Sequence, residues 1–363
     1  CPLGVLSAAA AVASFAAGPI APAVAAAAVK GAVQWVQVPV ETDNTIYDIA
    51  FTGTDPKHGW MVGSRGTVLE TVDGGSSWQP RSFQNLSPED EINYRFEKIS
   101  FKGNEGWVIG KPALMLHTKD GGKSWERIPL NPKLPGDPVN VTALGIDSAE
   151  MVTSAGAVYT TTNGGRNWKA EVKETIDATL NRTISSGVSG ASYFTGSIIE
   201  VNRDPATGGY VAISSRGNFF LTWQPGQDFW IPHGRDSSRR IQALGFVSGS
   251  MNNGLWMSTR GGGLAFSQKG IDFATAETIP FEKRDIKTGG YGILDVSFRP
   301  GSQEAWASLG GGTLFKSEDA GKTWAKDKII DKIGTNVYKI IFIDETTAFA
   351  LGGNGVVLRY QPV

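Results

Sequence analysis

Short segments of alternating apolar and polar residues recur along the chain. The stretches 46–80 and 96–128 align with each other, and each divides into four such segments. In the first stretch the alternation starts at Ile46, the second segment carries Trp60, and the fourth begins at Trp78. A period of two is typical of β-strands, and glycine and aspartate mark turns. Each stretch therefore predicts a unit of four short antiparallel strands.

The turn between the third and fourth segments has a repeated sequence. It reads TVDGGSSW at 71–78, TKDGGKSW at 118–125, TTNGGRNW at 161–168 and SEDAGKTW at 317–324. The acid can accept hydrogen bonds from backbone N–H groups, glycine supplies positive φ, and the tryptophan can pack on a neighbouring unit. The turn resembles the Asp-box, S/T-x-D-x-G-x-S/T-W, of several propeller families. Asn163 replaces the acid in the third copy. This chemistry favours a structural role.

Counting the turns predicts the architecture. A seventh unit spans 337–360 but has no fourth segment, and the stretch 32–40, which contains Trp35, can supply it. We therefore predict an all-β fold, a seven-bladed β-propeller over 32–363 with four-stranded blades and the N-terminal strand closing the last blade. Aromatic residues that end the turns of the first six units are Trp78, Trp125, Trp168, Trp230, Phe273 and Trp324.

One interval between these aromatic residues is too long for a blade. Trp168 and Trp230 lie 62 residues apart, whereas the other neighbouring pairs are separated by 43 to 51 residues. The excess predicts an insertion at 174–201. Loops longer than a scaffold requires often carry function, but an ordinary connection between blades is an equally open interpretation.

The N-terminal segment, residues 1–31, differs from the rest of the chain. It is rich in alanine, its one charge is Lys30, and A-x-A sites occur at 21–23 and 23–25. This pattern is typical of the apolar region and cleavage zone of an export signal. A transmembrane anchor or a disordered arm are the alternatives, although Pro22 interrupts the apolar stretch. We expect 1–31 to be a targeting remnant.

Composition excludes several classes of function. The formal charge is −1, from 34 basic and 35 acidic residues, which argues against binding nucleic acid through bulk charge. Cys1 is the single cysteine, so a disulfide framework and a thiolate metal site are not expected. His58, His117 and His233 lie far apart without the spacing of metal ligands. We expect neither a cofactor nor a metal.

Arginine is concentrated in one part of the sequence. Residues 181–260 hold seven of the 15 arginines and none of the 19 lysines. Arginine favours planar, bidentate contacts with carboxylates, and loops of neighbouring blades could bring these side chains to one face. Alternatively, each is paired with an acid of the same stretch: Glu200, Asp204, Asp228 or Asp236. The arginines of this hypothetical patch are Arg182, Arg203, Arg216, Arg235, Arg239, Arg240 and Arg260.

An enzyme is the main competing class. Sialidases contain Asp-boxes, bind a carboxylate through arginines and use a tyrosine nucleophile with an acidic partner, and Tyr193, Tyr210 and Glu200 would be available. However, the chain has seven units where a sialidase has six, and Asp-box turns lie at the periphery. The sequence contains no nucleophile elbow, phosphate loop or metal motif. We therefore expect no catalytic residues; a propeller hydrolase or a generic peptide- or glycan-binding propeller is the alternative.

A longer stretch carries a specific resemblance. Residues 183–246, which include SSRGNFFLTWQPGQ, resemble the photosystem II stability and assembly factor family, and the similarity continues through 260–267, 290–299, 304–324 and 353–360. The resemblance covers essentially 32–363. It implies a non-enzymatic propeller that binds newly made D1 protein and photosystem II reaction-centre assembly intermediates, with membrane contact only through these clients.

The resemblance also implies a site and a location. The family carries an arginine patch, and Arg203, Arg216, Arg239 and Arg240 lie in the matching motifs, with Arg182, Arg235 and Arg260 as further members. Acidic segments of the client, such as the D1 C-terminal tail, would bind there. Residues 1–31 would be the second targeting segment of a protein of the chloroplast thylakoid lumen, and the 174–201 insertion resembles the plastid form of the family.

Overall fold

The computed structural model describes residues 33–84, 86–173, 175–176, 197–235, 237–276, 278–327 and 333–362. The segment predicted to be a targeting remnant, 1–31, lies outside the described residues. Most of the predicted 174–201 insertion also lies outside them, together with Arg182 and Tyr193.

The described residues are almost entirely in strands and turns. The helical elements within the described residues are α1 (Pro88–Glu91) and two 3-10 turns, Val247–Gly249 and Met251–Asn253, apart from the single helical position Ile176. Among the described residues, none of these helices has the length and apolar character needed to cross a membrane. The strands are β1 (Val33–Val38), β2 (Ile46–Phe51), β3 (Gly59–Gly63), β4 (Val68–Thr71), β5 (Gln79–Arg81), β6 (Arg95–Lys102), β7 (Glu105–Lys111), β8 (Leu114–Thr118), β9 (Glu126–Arg127), β10 (Pro138–Gly145), β11 (Ser148–Thr153), β12 (Val158–Thr161), β13 (Lys169–Ala170), β14 (Ile198–Arg203), β15 (Tyr210–Ser214), β16 (Phe219–Trp223), β17 (Ile231–Gly234), β18 (Ile241–Phe246), β19 (Leu255–Thr259), β20 (Gly263–Ser267), β21 (Phe281–Lys283), β22 (Ile293–Phe298), β23 (Ala305–Leu309), β24 (Thr313–Ser317), β25 (Ala325–Lys326), β26 (Val337–Phe342), β27 (Ala348–Gly352) and β28 (Val357–Pro362).

These strands form seven four-stranded antiparallel sheets, the blades of a propeller. Blades one to six use consecutive strands, starting with β2–β5 and ending with β22–β25. The seventh has the order β26-β27-β28-β1, and in its outer pair Val38 lies opposite Val357. The structure therefore confirms the seven-bladed β-propeller and its closure by the N-terminal strand.

The hydrophobic core is divided into seven clusters, each between two neighbouring blades. For example, Trp60 and Val62 of blade one pack with Phe96 and Leu116 of blade two. The ring closes in the same way, because Phe349 of blade seven packs in one cluster with residues of blade one. Each blade therefore buries both of its faces against neighbours.

The Asp-box turn has the predicted hydrogen bonds. In blade one, Asp73 Oδ1 accepts hydrogen bonds from the backbone N–H groups of Ser76 and Ser77, each at 2.9 Å. Thr71 Oγ1 accepts one from the N–H of Gly75 at 2.9 Å. Burial raises the pKa of Asp73, but hydrogen bonds to its carboxylate from the Ser77 and Thr71 hydroxyls and from the N–H groups of Ser77 and Ser76 lower it to about 2. The turn is thus fixed by its own side chains.

The aromatic residue after each turn packs on the preceding blade, as expected. The rings of Trp125 and Trp60 are 6.1 Å apart. Where the motif is degenerate, Trp230 keeps this role and donates a hydrogen bond to the carbonyl of Gly156 at 2.7 Å. Blade five differs, because Phe273 is buried but its outer strand β21 begins only at Phe281. The fourth strand there does not follow the aromatic residue directly.

The alternation of strand direction sorts the loops between the two ends of the propeller. Turns between the second and third strands of a blade lie at the same end as the connections to the next blade, and we call this the connection end. Turns between the first and second strands lie with the Asp-box turns at the other end, the Asp-box end. This division decides which predicted residues can meet.

Candidate functional site

Five of the predicted arginines lie at the connection end of blades four and five. Arg216 is in the turn between β15 and β16, and Arg260 is in the turn between β19 and β20. The connection between β17 and β18 carries the other three. We call this group the arginine rim; its members are Arg216, Arg235, Arg239, Arg240 and Arg260.

Hydrogen bonds join the three loops of the arginine rim into one surface. The N–H of Arg260 donates to the carbonyl of Arg240 at 2.9 Å, and the N–H of Ile241 donates to the carbonyl of Gly217 at 2.8 Å. The Arg235 guanidinium donates to Asn218 Oδ1 at 2.9 Å. The connecting loop is therefore fixed to the turns on both sides, and the rim is preorganised.

Most side chains of the rim are available to a partner. Arg216, Arg239, Arg240 and Arg260 are exposed, and Arg235 is half-buried. Within the described part of the chain, no carboxylate lies at ion-pair distance from these five guanidinium groups. The acids of the same stretch have other contacts: Asp228 pairs with Lys173, and Asp204 accepts hydrogen bonds from Ser250 and Met251. Pairing with the described acids of this stretch does not explain the rim; the fourth acid, Asp236, lies outside the described residues.

Arg203 is not brought together with the rim. It ends β14, so it lies at the Asp-box end, and its Nε donates to Glu150 Oε1 of blade three at 2.8 Å. The hydroxyl of Tyr210 donates to the same oxygen at 2.6 Å. Glu150 is only 5% exposed. Arg203 thus neutralises a buried acid between blades three and four.

The same cluster bears on the hydrolase alternative. Tyr210 is fully buried, and burial together with the Glu150 carboxylate raises the pKa of its hydroxyl well above the ordinary value. A phenol that is buried and hard to ionise is a poor nucleophile. Glu200 lies three residues before Arg203 in the middle of β14, where its Oε1 accepts a hydrogen bond from Asn202 at 2.9 Å. Tyr210 and Glu200 therefore do not form a nucleophile–acid pair.

A cavity beside the rim adds cations that the sequence analysis did not select. It has a volume of about 400 Å³ and is lined by Arg239, Lys283 and Arg284, with serine hydroxyls and apolar side chains. The guanidinium carbon of Arg284 lies 4.8 Å from the centre of the Phe266 ring. Arg284 falls outside the arginine-rich stretch 181–260, and it reaches the cavity because it follows β21 and contacts β20 of the same blade.

A second group of charges lies in the central channel. The innermost strand of each blade has a β-bulge, and one residue of each blade follows it at the same position. Five of the seven are charged, and we call the set the belt. An alignment of the first strand of each blade in the sequence would reveal this belt. Its members are Asp48, Lys98, Asn140, Glu200, Ala243, Asp295 and Lys339.

The belt perturbs its own acids. Burial raises the pKa of Glu200 to about 7, and the nearby Asp295 carboxylate adds to the shift. Burial likewise raises the pKa of Asp295 to about 6, although a hydrogen bond from the N–H of Ile340 acts against it. Asp48 is better compensated, because Lys339 Nζ lies 2.5 Å from it and the N–H of Ile99 donates to it at 3.0 Å.

One cluster of side chains resembles a metal site. The ligand atoms of Glu105, His117 and Asp147 lie within 4.8 Å of one another. However, Lys119 Nζ lies 2.5 Å from Asp147 Oδ1 and supplies a cation there.

The pairing inside this cluster recurs in two other blades. Glu105 binds His117 at 2.6 Å, and the equivalent pairs are His58 with Glu70 at 2.7 Å and Glu304 with Lys316 at 3.7 Å. In each case one partner precedes the second-strand tryptophan by two residues and the other lies opposite that tryptophan. The recurrence indicates a polar side-chain pair that joins two strands rather than a metal centre.

The sequence is similar throughout to one family. Residues 27–361 match the family described as photosynthesis system II assembly factor YCF48. The chain is 57% identical over 345 residues to the photosystem II stability/assembly factor HCF136, chloroplastic, of Cyanidioschyzon merolae. That alignment covers 95% of this chain and 78% of the relative.

Two solved structures extend the similarity to the fold. YCF48 from Cyanidioschyzon merolae superposes with a TM-score of 0.85 at 54% identity, covering 90% of this chain and 98% of that one. A structure described as YCF48 bound to D1 peptide gives a TM-score of 0.75 at 42% identity, covering 91% and 95%. A relative of the same fold has thus been captured with a peptide ligand.

Proposed function

Because the chain belongs to the photosystem II assembly factor YCF48 family, we propose that it binds newly made D1 and early reaction-centre intermediates of photosystem II. The arginine rim holds the client, and the role is non-enzymatic assembly and stabilisation. One observation carries this proposal: four exposed arginines lie on three interlocked loops and have no carboxylate partner among the described residues. The solved relative with a D1 peptide supports the choice of client.

The chemistry of the rim defines which part of a client it fits. Guanidinium groups bind carboxylates through paired, charge-assisted hydrogen bonds, which are stronger than neutral ones. A preorganised loop surface avoids part of the entropy cost of binding. An acidic, extended segment such as the D1 C-terminal tail meets both conditions. Because the rim is exposed, added salt weakens the interaction.

A binding assay with a matched control tests the proposal. The full chain and the triple variant Arg216→Ala/Arg239→Ala/Arg240→Ala are titrated with a fluorescent peptide of the D1 C-terminal tail. We expect the variant to lose at least about tenfold in affinity, because each charge-assisted hydrogen bond contributes about 1.5 kcal/mol or more. The affinity of the unmodified chain falls as sodium chloride is raised from about 50 to about 300 mM, a range over which the Debye length shortens.

The control removes the same charge elsewhere. Arg65, Arg127 and Arg166 are also exposed but lie in blades one to three. The triple variant Arg65→Ala/Arg127→Ala/Arg166→Ala should bind the peptide like the unmodified chain. Equal losses in the two triple variants would reduce the effect to net charge and remove the rim as a specific site.

The name of one relative supports a location in the plastid. The Cyanidioschyzon merolae relative is described as chloroplastic, and we extend this to the thylakoid lumen, where residues 1–31 would act as the targeting segment. Contact with the membrane then occurs through the client complexes. Immunogold labelling of plastid sections with an antibody to 33–363 tests this, since labelling confined to the stroma contradicts it.

A further inference from the structure

The channel mouth at the connection end carries a ring of apolar side chains among charged ones. The β-bulge of each innermost strand sets one residue directly before the belt. In five of the seven blades this residue is a tyrosine or an aliphatic residue, and the exceptions are Glu97 and Gln242. We call the five the apolar collar: Tyr47, Val139, Ile199, Leu294 and Tyr338.

The collar surrounds a cavity large enough for a side chain. The cavity has a volume of about 560 Å³, and all five collar residues line it. Ile199 is 57% exposed and Tyr338 is 43% exposed. Large apolar groups that face solvent around one opening are typical of a binding site.

Two lysines of the belt lie next to the collar, one residue further along the innermost strands. Lys98 and Lys339 of the belt line the same cavity. The charge of Lys339 and burial in the channel lower the pKa of Lys98, which shows that two cations are crowded there. Lys339 is paired with Asp48, whereas no acid of the described residues lies within ion-pair distance of Lys98.

The acids of the cavity already have donors. Glu97 is bridged by Arg95 and Lys111, and Asp295 accepts a hydrogen bond from the N–H of Ile340 at 2.7 Å. Glu200 accepts one from Asn202. Among the described residues, Lys98 is therefore the cation lining this cavity that has no carboxylate at ion-pair distance, although Asp48 and Glu200 attract it from farther away. Its amine can donate hydrogen bonds to an incoming anion.

We propose that the channel mouth is a second subsite of the client surface, which takes an apolar side chain of an acidic peptide in the collar and an adjacent carboxylate on Lys98. This inference rests on the proposed function and deepens it. Successive residues of a strand rise by about 3.3 Å, so collar and belt are about one residue apart. In a bound peptide, an apolar side chain and the carboxylate of the same or the next residue are separated by a similar distance.

The subsite is continuous with the arginine rim. In blade four, Ile198 pairs with Ser214, so Ile199 lies beside the turn that carries Arg216. In blade five, Arg240 directly precedes the innermost strand β18. An extended peptide can therefore contact the rim with acidic residues and place an apolar residue in the channel mouth.

Peptide binding to collar variants tests the subsite. The full chain, Ile199→Ser/Tyr338→Ser and Lys98→Met are titrated with the D1 C-terminal tail peptide and with versions in which each apolar residue is changed to serine in turn. We expect Lys98→Met to lose about tenfold in affinity, the effect of removing one charge-assisted contact, and the double collar variant to lose at least about tenfold, because it removes two apolar side chains. The serine substitution at the peptide residue that occupies the collar should weaken binding to the parent chain. The same substitution should not weaken binding to the collar variant any further.

Two controls separate the subsite from general effects. Ile146, which is 83% exposed, lies at the Asp-box end, and Ile146→Ser should bind like the parent chain. Lys98→Arg keeps the charge and should retain most of the affinity that Lys98→Met loses. Circular dichroism and thermal unfolding confirm that each variant is folded.

The outcomes also separate this inference from the proposed function. If the collar and Lys98 variants bind like the parent while the rim variant binds weakly, the subsite is wrong and the proposed function stands. If the parent chain does not bind the peptide, the proposed function is overturned and the subsite with it. If the parent binds and the rim variant binds equally well, the rim is removed as the client site.

Discussion

The two glycines of an Asp-box turn are under different constraints. Both Gly74 and Gly75 have positive φ, at 72° and 81°. A Cβ atom on Gly74 would meet only the end of an arginine side chain at 3.9 Å, whereas one on Gly75 would lie 2.4 Å from the buried ring of Phe349. The copy at 317–324 fits this difference, because it has Ala320 at the first position and keeps Gly321 at the second.

We expect Gly74→Ala to lower the free energy of unfolding by about 1 kcal/mol, the cost of an alanine with positive φ. Gly75→Ala should cost about 3 kcal/mol, because overpacking against Phe349 is added to the same backbone cost. Urea unfolding of the two variants measures the difference. Equal losses would mean that Phe349 moves aside freely.

Arg203 and Arg216 were selected from the sequence for the same reason but have different environments. Arg203 neutralises the buried Glu150, and Arg216 is exposed. We expect Arg203→Ala to lower the free energy of unfolding by about 3 kcal/mol, because it leaves a buried charge without its partner. Arg216→Ala should change stability by less than about 0.5 kcal/mol.

Peptide affinity should show the reverse order in these two variants. Arg216→Ala is expected to weaken binding of the D1 tail, while Arg203→Ala, measured well below its unfolding temperature, should bind normally. Thermal unfolding and titration of the same two samples provide the test. A loss of affinity in folded Arg203→Ala would extend the client surface to the Asp-box end.

The raised pKa of Glu200 predicts that the stability of the fold depends on pH. Its pKa is raised from 4.5 to about 7 in the folded chain, so between these values the folded state keeps a proton that the unfolded state has lost. The contribution of Glu200 to the free energy of unfolding is therefore fully present below about pH 4.5 and is lost as the pH rises through 7. Glu200→Gln cannot ionise, so its stability relative to the parent should increase over this range by on the order of 2 kcal/mol.

Denaturant unfolding at pH 4.5, 6 and 7.5 measures this difference between variant and parent. Glu126→Gln, at an exposed position of β9, serves as the control and should show a constant difference. A difference that stays constant for Glu200→Gln would mean that water in the channel solvates the carboxylate fully.

At the scale of elements, the repeat made most of the fold predictable. A motif with its own hydrogen bonds, such as Thr71–Trp78, marks a hairpin whatever surrounds it. Where the motif decays, the aromatic residue still marks the blade, as Trp230 does, because it must fill the space between blades. Blade five shows the limit: β21 begins at Phe281, after a loop that no local signal in the sequence places.

The candidate site was only partly predictable because its members come from several loops. Composition identified the arginines, but only strand direction separates Arg216 from Arg203. The apolar collar was not recognised, since Ile199 and Tyr338 look like ordinary strand residues until the β-bulges turn them into the channel mouth. Bulges depend on the partner strand, so a single segment does not reveal them.

At the scale of the whole molecule, closure of the ring depends on Trp35. It is 4% exposed and packs on Trp306 of blade six and Tyr360 of blade seven, with ring centres 5.6 and 5.1 Å away. We expect Trp35→Ala to cost about 4 kcal/mol, as for other buried aromatic residues. Its indole N–H has no hydrogen-bond partner among the described residues, so Trp35→Phe should cost much less.

Hydrogen exchange locates the effect of these two variants. The amides of β28 pair with β1, so they should lose protection in Trp35→Ala before those of β15 in blade four. Uniform loss of protection around the ring would show that the propeller opens only as a whole.

The pairing of β1 with β28 also constrains how the protein is made. A ribosome releases β1 first, and more than three hundred residues must follow before β28 can pair with it. Until then blade seven is missing, and the face of blade one that packs on blade seven remains exposed. Contacts so distant in sequence form slowly. In a nascent or prematurely terminated chain the strand β1 therefore stays unpaired and is prone to aggregation and proteolysis. A chain that is translated through β28 can pair β1 and is protected from both.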